Sequence, residues 1–215
     1  MPTNSLLPDR VAALIERFTQ DCPNGFLNIC LPFHGSGAAF DDILGVPGAF
    51  EKFNQTYAVI KDAQKKNKQV SFLLNFVMSK FNADKYQQII DNALENYPEA
   101  PLGIAYARGL PKEREAVEVP LDIFQQAHSY LNLRRRNKNR FNPYSIMFSA
   151  IGKRMADTVA AVVQAEQKNL KCRAGRRFLV IYENANVYPC ELIDVVGIPD
   201  SNHEDAPKTA LLGNL

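Results

Sequence analysis

The chain has 215 residues, 46% of them hydrophobic and 22% charged, with a formal net charge of +2. That length suits one domain with a substantial core, or one domain with a small extension. The near-neutral charge argues against nucleic acid as a partner, no apolar run reaches bilayer length, and the N-terminus lacks a basic-then-apolar signal, so the expectation is a cytoplasmic protein that binds neither nucleic acid nor membrane.

Pro8 opens a helix that places Val11, Leu14, Ile15 and Phe18 on one face. Cys22-Pro23-Asn24-Gly25 turns the chain into a strand over Phe26 to Phe33, weakened near its end by Pro32. A glycine loop, His34 to Gly37, follows. Pro47-Gly48 opens a second helix with Phe50, Phe53, Tyr57 and Ile60 in register. Val70 to Met78 is almost continuously apolar, which predicts a strand buried on both faces. Asn82 is placed to cap a helix carrying Tyr86, Ile89, Ile90, Ala93 and Leu94, and Leu102 to Ala107 reads as a third strand. Alternating helices and strands predict a parallel α/β sheet with right-handed crossovers.

Beyond it, Pro120 opens a helix with Leu121, Phe124, Ala127 and Leu131 on its core face. The basic run Arg134, Arg135, Arg136, Lys138 and Arg140 reads as a solvated linker. Asn142-Pro143 starts a long helix whose face is Met147, Ile151, Met155, Val159 and Val162. Phe178 to Tyr182, a turn at Glu183-Asn184-Ala185, and Val187 to Leu192 make a β-hairpin with Cys172 and Cys190 at its ends. After Gly197 the polar tail is expected to be poorly ordered.

Four cysteines without a secretion signal read as reduced thiols or metal ligands. Cys30, inside an apolar strand, reads as a buried structural thiol, and Cys22 has no evident partner. His34 is either a surface loop histidine or a ligand or base; His128 and His203 are expected to be solvated. Cys172 and Cys190 are either two unrelated thiols or a pair that shares a metal.

The text around the hairpin, C-x-A-G-R-R-F-x-V-I and then V-Y-P-C-E-L, resembles the start of the cysteine-rich C-terminal extension of radical S-adenosylmethionine enzymes, the SPASM/twitch type. The α/β part resembles the same family. FLNICLPFHGSGAAFDDILGVPGAFEKF is similar to its fourth barrel strand, loop and helix, with Gly45, Pro47, Gly48, Phe50, Glu51 and Lys52 matching. VSFLLNFVMSKFNADKYQQII resembles the fifth strand, with Asn82 at the family's asparagine position, and LGIAYARG the sixth. Pro2-Thr3-Asn4 stands where the family reads T-N-G, and the closing L-L-G-N-L resembles its I-G-N-L. The cluster motif C-x3-C-x2-C and the G-G-E-P motif are absent, as are the later cysteines of the extension.

The resemblance implies an α/β fold with a partial parallel (β/α) barrel, strands four to six, over residues 1–135. A linking helix over 136–170 and a SPASM-like hairpin with its tail over 171–215 complete it. It implies Cys30, His34 and Asn82 as cofactor-side positions for S-adenosylmethionine. Cys172 and Cys190 become ligands of an auxiliary iron–sulfur cluster, and a peptide a candidate substrate. The complete form would perform radical chemistry, with this chain inactive alone. The alternative is a non-catalytic α/β remnant that binds a partner or a second copy through an exposed sheet edge.

Overall fold

The computed structural model describes residues 1–109, 111–138, 143–164, 177, 179–182, 186–189 and 213–214. They fall into two compact units, one of residues 1–107 and 113–160, the other of residues 108–112 and 161–215. Among the described residues no helix is long and apolar enough to cross a membrane.

In the first unit the order is α1 (Pro8–Asp21), β1 (Leu27–Pro32), α2 (Ala38–Leu44), α3 (Ala49–Lys66), β2 (Val70–Met78), α4 (Tyr86–Asn96), β3 (Leu102–Tyr106), α5 (Leu121–Lys138) and α6 (Pro143–Val163). The three strands form a parallel sheet in the order β1-β2-β3, with Leu31 opposite Leu74 and Leu74 opposite Leu102. Helices lie between successive strands, as parallel pairing requires. Pro8 occupies the start of α1, where a missing N–H costs nothing. β1 ends at Pro32, as proline's lack of a donor predicts.

The sequence gives no sign of α2, which fills the glycine-loop region before α3. Its Asp41 carboxylate accepts the Gly48 and Phe50 N–H groups, both at 2.7 Å. It thereby satisfies backbone donors at the start of α3 from seven and nine residues away in sequence. Gly48 itself is left-handed, φ 75°, a conformation glycine takes without strain.

β2 departs from the expectation of burial on both faces. Val70, Phe72, Leu74, Phe76 and Met78 are buried, and Ser71, Leu73, Asn75 and Val77 are half-buried. Among the described residues, helices pack on the first of these faces, as with Tyr57 on Phe72 and Phe124 on Tyr106. The other continues into β1 as Asn28, Cys30 and Pro32, and into β3 as Gly103 and Ala105, by register. Beneath the covered face Phe33, Phe40, Phe53 and Tyr97 make an aromatic core, with Phe53 centred 5.6, 5.3 and 5.6 Å from the rings of Phe33, Phe40 and Tyr97.

Both edges of this sheet are occupied by the chain itself. Pro2 makes a parallel bridge to Cys30, with the Cys30 N–H donating to Met1 O at 2.8 Å and the Thr3 N–H to Cys30 O at 3.2 Å. At the other edge, Arg135 of α5 donates to the carbonyl of Leu102, and the backbone of Ile104 hydrogen-bonds the His128 ring. Side chains thus take the place of a fourth strand, one of the ways native sheets blunt an edge.

Three expectations for this region are corrected. His128 is not solvated: it is buried on the α5 face that carries Phe124 and Leu131, its ring 4.7 Å from Phe124. Arg134 and Arg135 are helical, not a linker. Arg134 pairs with Asp91 at 2.7 Å, and Arg135 reaches β3. α6 turns its small residues inward, with Ala156 and Ala160 buried and Met147, Ile151 and Met155 about half exposed at 48, 46 and 59%. Small side chains let the backbones approach, whereas the larger stripe would hold α6 off the rest of the unit.

Ser5 has φ 62°, the only non-glycine residue with positive φ among those described, and is fully buried with its hydroxyl unpaired. Thr56 donates to its carbonyl at 2.9 Å, which holds the turn in place. Glycine relieves both the left-handed strain and the orphaned hydroxyl. Ser5→Gly is therefore expected to raise stability by about 1 kcal/mol in urea denaturation, against the usual cost of a new glycine. A lowered midpoint would mean the hydroxyl is paired in solution.

In the second unit β4 (Val180–Ile181), β5 (Asn186–Tyr188) and β6 (Gly213–Asn214) form an antiparallel sheet in that order. Val180 pairs with Tyr188, and Tyr182 and Tyr188 meet edge to face at 5.2 Å. The expected hairpin pairing is present. Its turn, Cys172, Cys190, His203 and most of the polar tail lie outside the described residues. Gly213–Asn214, expected to be part of a poorly ordered tail, instead extends the sheet against β5.

Candidate functional site

Parallel α/β sheets bind ligands at the carboxyl ends of their strands, where the connecting loops converge. Here those loops begin at Phe33 after β1, Ser79 after β2 and Ala107 after β3. His34 and Asn82 stand in the first two, and Cys30 lies lower on β1, half-buried on the face it shares with Asn28 and Pro32.

His34 is not the surface loop histidine the sequence allowed. Burial pushes its pKa down to about 4, partly opposed by a hydrogen bond to the Val77 backbone. Its Nδ1 is buried without a partner. At neutral pH the ring is uncharged, so it does not supply positive charge to a ligand.

Asn82 is buried, and its amide turns back onto its own loop. Oδ1 accepts the Ser79 N–H at 2.8 Å, and Nδ2 donates to Val77 O at 3.1 Å. It makes no side-chain cap for the following 3-10 turn, contrary to the expected capping role. His34 and Asn82 thus meet at the backbone of Val77. Removing the amide orphans two backbone groups, each worth about 1–3 kcal/mol when buried unpaired. Asn82→Ala is expected to lower stability by about 2 kcal/mol in urea titration. A loss below about 0.5 kcal/mol, the range of ordinary surface changes, would show that the loop does not depend on it.

Cys30 is half-buried and free, not the fully buried thiol expected. Burial raises its pKa, with the nearby N-terminal ammonium pulling the other way. It stays a protonated thiol at neutral pH. Cys22 is exposed and free, as its turn suggested. Among the described residues no group of three or more His, Cys, Asp or Glu side chains is placed to hold a metal ion. Cys172 and Cys190 lie outside them.

Two features escaped the sequence reading. The Ser36 hydroxyl accepts from Asn92 Nδ2 at 3.1 Å, tying the loop after β1 to α4 and leaving Asn92 Oδ1 buried and unpaired. No short-range spacing announces that pair. His128 was within reach: four residues after Phe124 and three before Leu131, it lies on the face already assigned to the core.

No protein-family model and no curated protein matches the sequence. Solved structures do match the fold. The native anaerobic sulfatase-maturating enzyme anSMEcpe with bound AdoMet and a Kp18Cys peptide superposes with a TM-score of 0.54 at 13% identity, over 99% of this chain and 53% of that one. The fold is that of about half a radical S-adenosylmethionine enzyme. The same enzyme with AdoMet alone gives a TM-score of 0.54 at 13% identity, over 99% of this chain and 52% of that one. The chain therefore spans about half the length of the radical S-adenosylmethionine structures it matches, and at this identity the likeness is one of fold. The resemblance read from the sequence holds at that level.

Proposed function

We propose that this chain is the C-terminal part of a radical S-adenosylmethionine iron–sulfur protein whose complete form modifies a peptide. The observation that carries the reading is the fold likeness over 99% of the chain to an enzyme whose structure holds AdoMet and a peptide. Residues 1–135 would be strands four to six of the barrel, 136–170 the linking helix, and 171–215 the SPASM-like extension. Cys172 and Cys190 are the proposed auxiliary-cluster ligands, and pairing of β4 with β5 supports the hairpin they flank. The proposed location is the cytoplasm.

The residues present do not fit the S-adenosylmethionine-binding cluster. The cysteines at 22, 30, 172 and 190 contain no C-x3-C-x2-C spacing. The three positions proposed to face the cofactor are a protonated thiol, a neutral imidazole and an amide engaged by its own loop. No step of the radical reaction is assigned to this chain, and alone it is expected to leave S-adenosylmethionine uncleaved. Sequencing the DNA on both sides of the reading frame tests the proposal. C-x3-C-x2-C and G-G-E-P upstream, in frame or one frameshift away, with cysteines downstream, would support it. Stop codons and unrelated sequence on both sides would end it.

The occupied sheet edges favour a second reading, a self-standing module, and correct the expectation that it would pair with a partner through an exposed edge. Such a module purifies alone as a soluble protein with one cooperative unfolding transition. Aggregation or a gradual, non-cooperative melt would remove that reading.

A further inference from the structure

Three backbone carbonyls converge on one point where α1 ends. The Gln69 Nε2 atom lies 2.9 Å from Cys22 O, 2.8 Å from Pro23 O and 2.8 Å from Gly25 O. A side-chain amide carries two hydrogens, so three acceptors face two donors. The cage is also rigid. Cys22 O accepts the Gly25 N–H at 2.9 Å, and a Cβ on Gly25 would come within 2.8 Å of Phe18 Cζ. On the other side the Gln69 N–H is held by Asn67 Oδ1 at 2.8 Å, and its carbonyl accepts from the Leu27 N–H at 2.8 Å. The turn's own bond thus fixes Cys22 O, and the close packing of Gly25 on Phe18 holds the turn that carries the other two oxygens.

The negative end of α1 lies here, and its last turn carries no basic residue; Asp21 is already paired with Arg17 at 3.2 Å, so the carbonyls and the helix end supply the negative potential. The radius is selective. Calcium takes oxygens at about 2.3–2.6 Å, shorter than these distances, and magnesium closer still. A potassium ion exchanges its water shell for carbonyl oxygens at wider spacing, as in carbonyl-lined filters. An ammonium group offers three N–H donors at ordinary hydrogen-bond length, one for each carbonyl. Cys22 and Pro23 are exposed, so an ion reaches the cage from solvent.

We propose that the turn after α1 is a site for a compact monovalent cation of potassium or ammonium size, which the Gln69 amide occupies in the ion's place. When the ion enters, the amide swings aside, and its Oε1 becomes a fourth oxygen ligand. The bound ion locks the end of α1 to the start of β2.

Melting temperatures in potassium, ammonium, sodium and choline chloride at equal ionic strength test this, since equal screening isolates the specific ion. The wild type is expected to melt about 2–4 °C higher in potassium or ammonium than in choline, with a smaller rise in sodium. Gln69→Ala vacates the cage and is expected to show a larger potassium response. Gln69→Lys supplies its own ammonium and is expected to lose the response while keeping its melting temperature. Equal melting of wild type and Gln69→Ala in potassium and choline would overturn the proposal, as would a response retained in Gln69→Lys. If Gln69→Ala does not fold in choline, folding restored by potassium supports the site. If it folds in neither salt, the wild-type comparison decides.

Discussion

Acidification from pH 7 to pH 4 is expected to remove several kcal/mol of stability, most of it before any carboxylate titrates. Two histidines carry this. Burial pushes His34 to about 4; His128 is pushed to about 4 by burial first and by the Arg135 charge second, against a weaker pull from the Ile104 backbone. Their ordinary value is 6.5. Both are neutral in the folded chain, so the unfolded chain binds more protons between these values. Stability is full above about 6.5 and falls with pH through the window down to about 4, by about 3 kcal/mol for each ring. His128 matters structurally because a proton there places a second cation beside Arg135 and loosens α5 from the edge of β3. The exposed acids Asp62, Glu99 and Glu115 are held below their ordinary values by lysines, so their contribution fades at lower pH. Urea midpoints at pH 7, 5.5 and 4.5 measure the effect, with His34→Gln/His128→Gln as control. The double variant should be nearly flat across that range. A wild-type slope retained in it would place the acid sensitivity elsewhere.

Phe53→Ala is expected to cost about 3–5 kcal/mol, enough to unfold many single domains. Phe53 is fully buried and touches the rings of Phe33, Phe40 and Tyr97, with Phe50 stacked 6.1 Å away. Its partners come from β1's exit, α2 and the end of α4, so none can close the hole alone. Phe26→Ala is the matched control: that ring is 82% exposed, and its loss should stay within about 0.5 kcal/mol. Equal costs for the two variants would mean that the aromatic core is not where stability resides.

The strands were legible because their signals are local. Val70 to Met78 is one apolar run, and it is β2 to the residue. Pro8 and Pro143 start helices where proline belongs. What stayed hidden depends on partners remote in sequence. α2 is seven residues long, too short for a helical period to show. Asp41 caps α3 across a loop, and Arg135 finds a carbonyl 33 residues back, so a basic run that looked solvated is partly bound. α6 shows the sharper limit: periodicity found a face of large apolar residues, yet Ala156 and Ala160 face inward. Hydrophobicity reports which side chains avoid water, not which allow two backbones to approach. The proposed cofactor-side positions His34, Asn82 and Cys30 rest on resemblance, and only the fold shows their burial and hydrogen bonding.

The order β1-β2-β3 follows the order of synthesis, so each strand adds to the edge made just before it. The sheet can therefore assemble as the chain leaves the ribosome, without waiting for a distant segment. Until α5 emerges, the β3 carbonyls at Leu102 and Ile104 face the solvent as a growing edge. His128 and Arg135 then close it, 24 and 33 residues downstream of the groups they bind. The helix that packs on β3 is thus also the sheet's stop signal. A pause in translation before residue 128 would leave the nascent chain at its most prone to pairing with a neighbour.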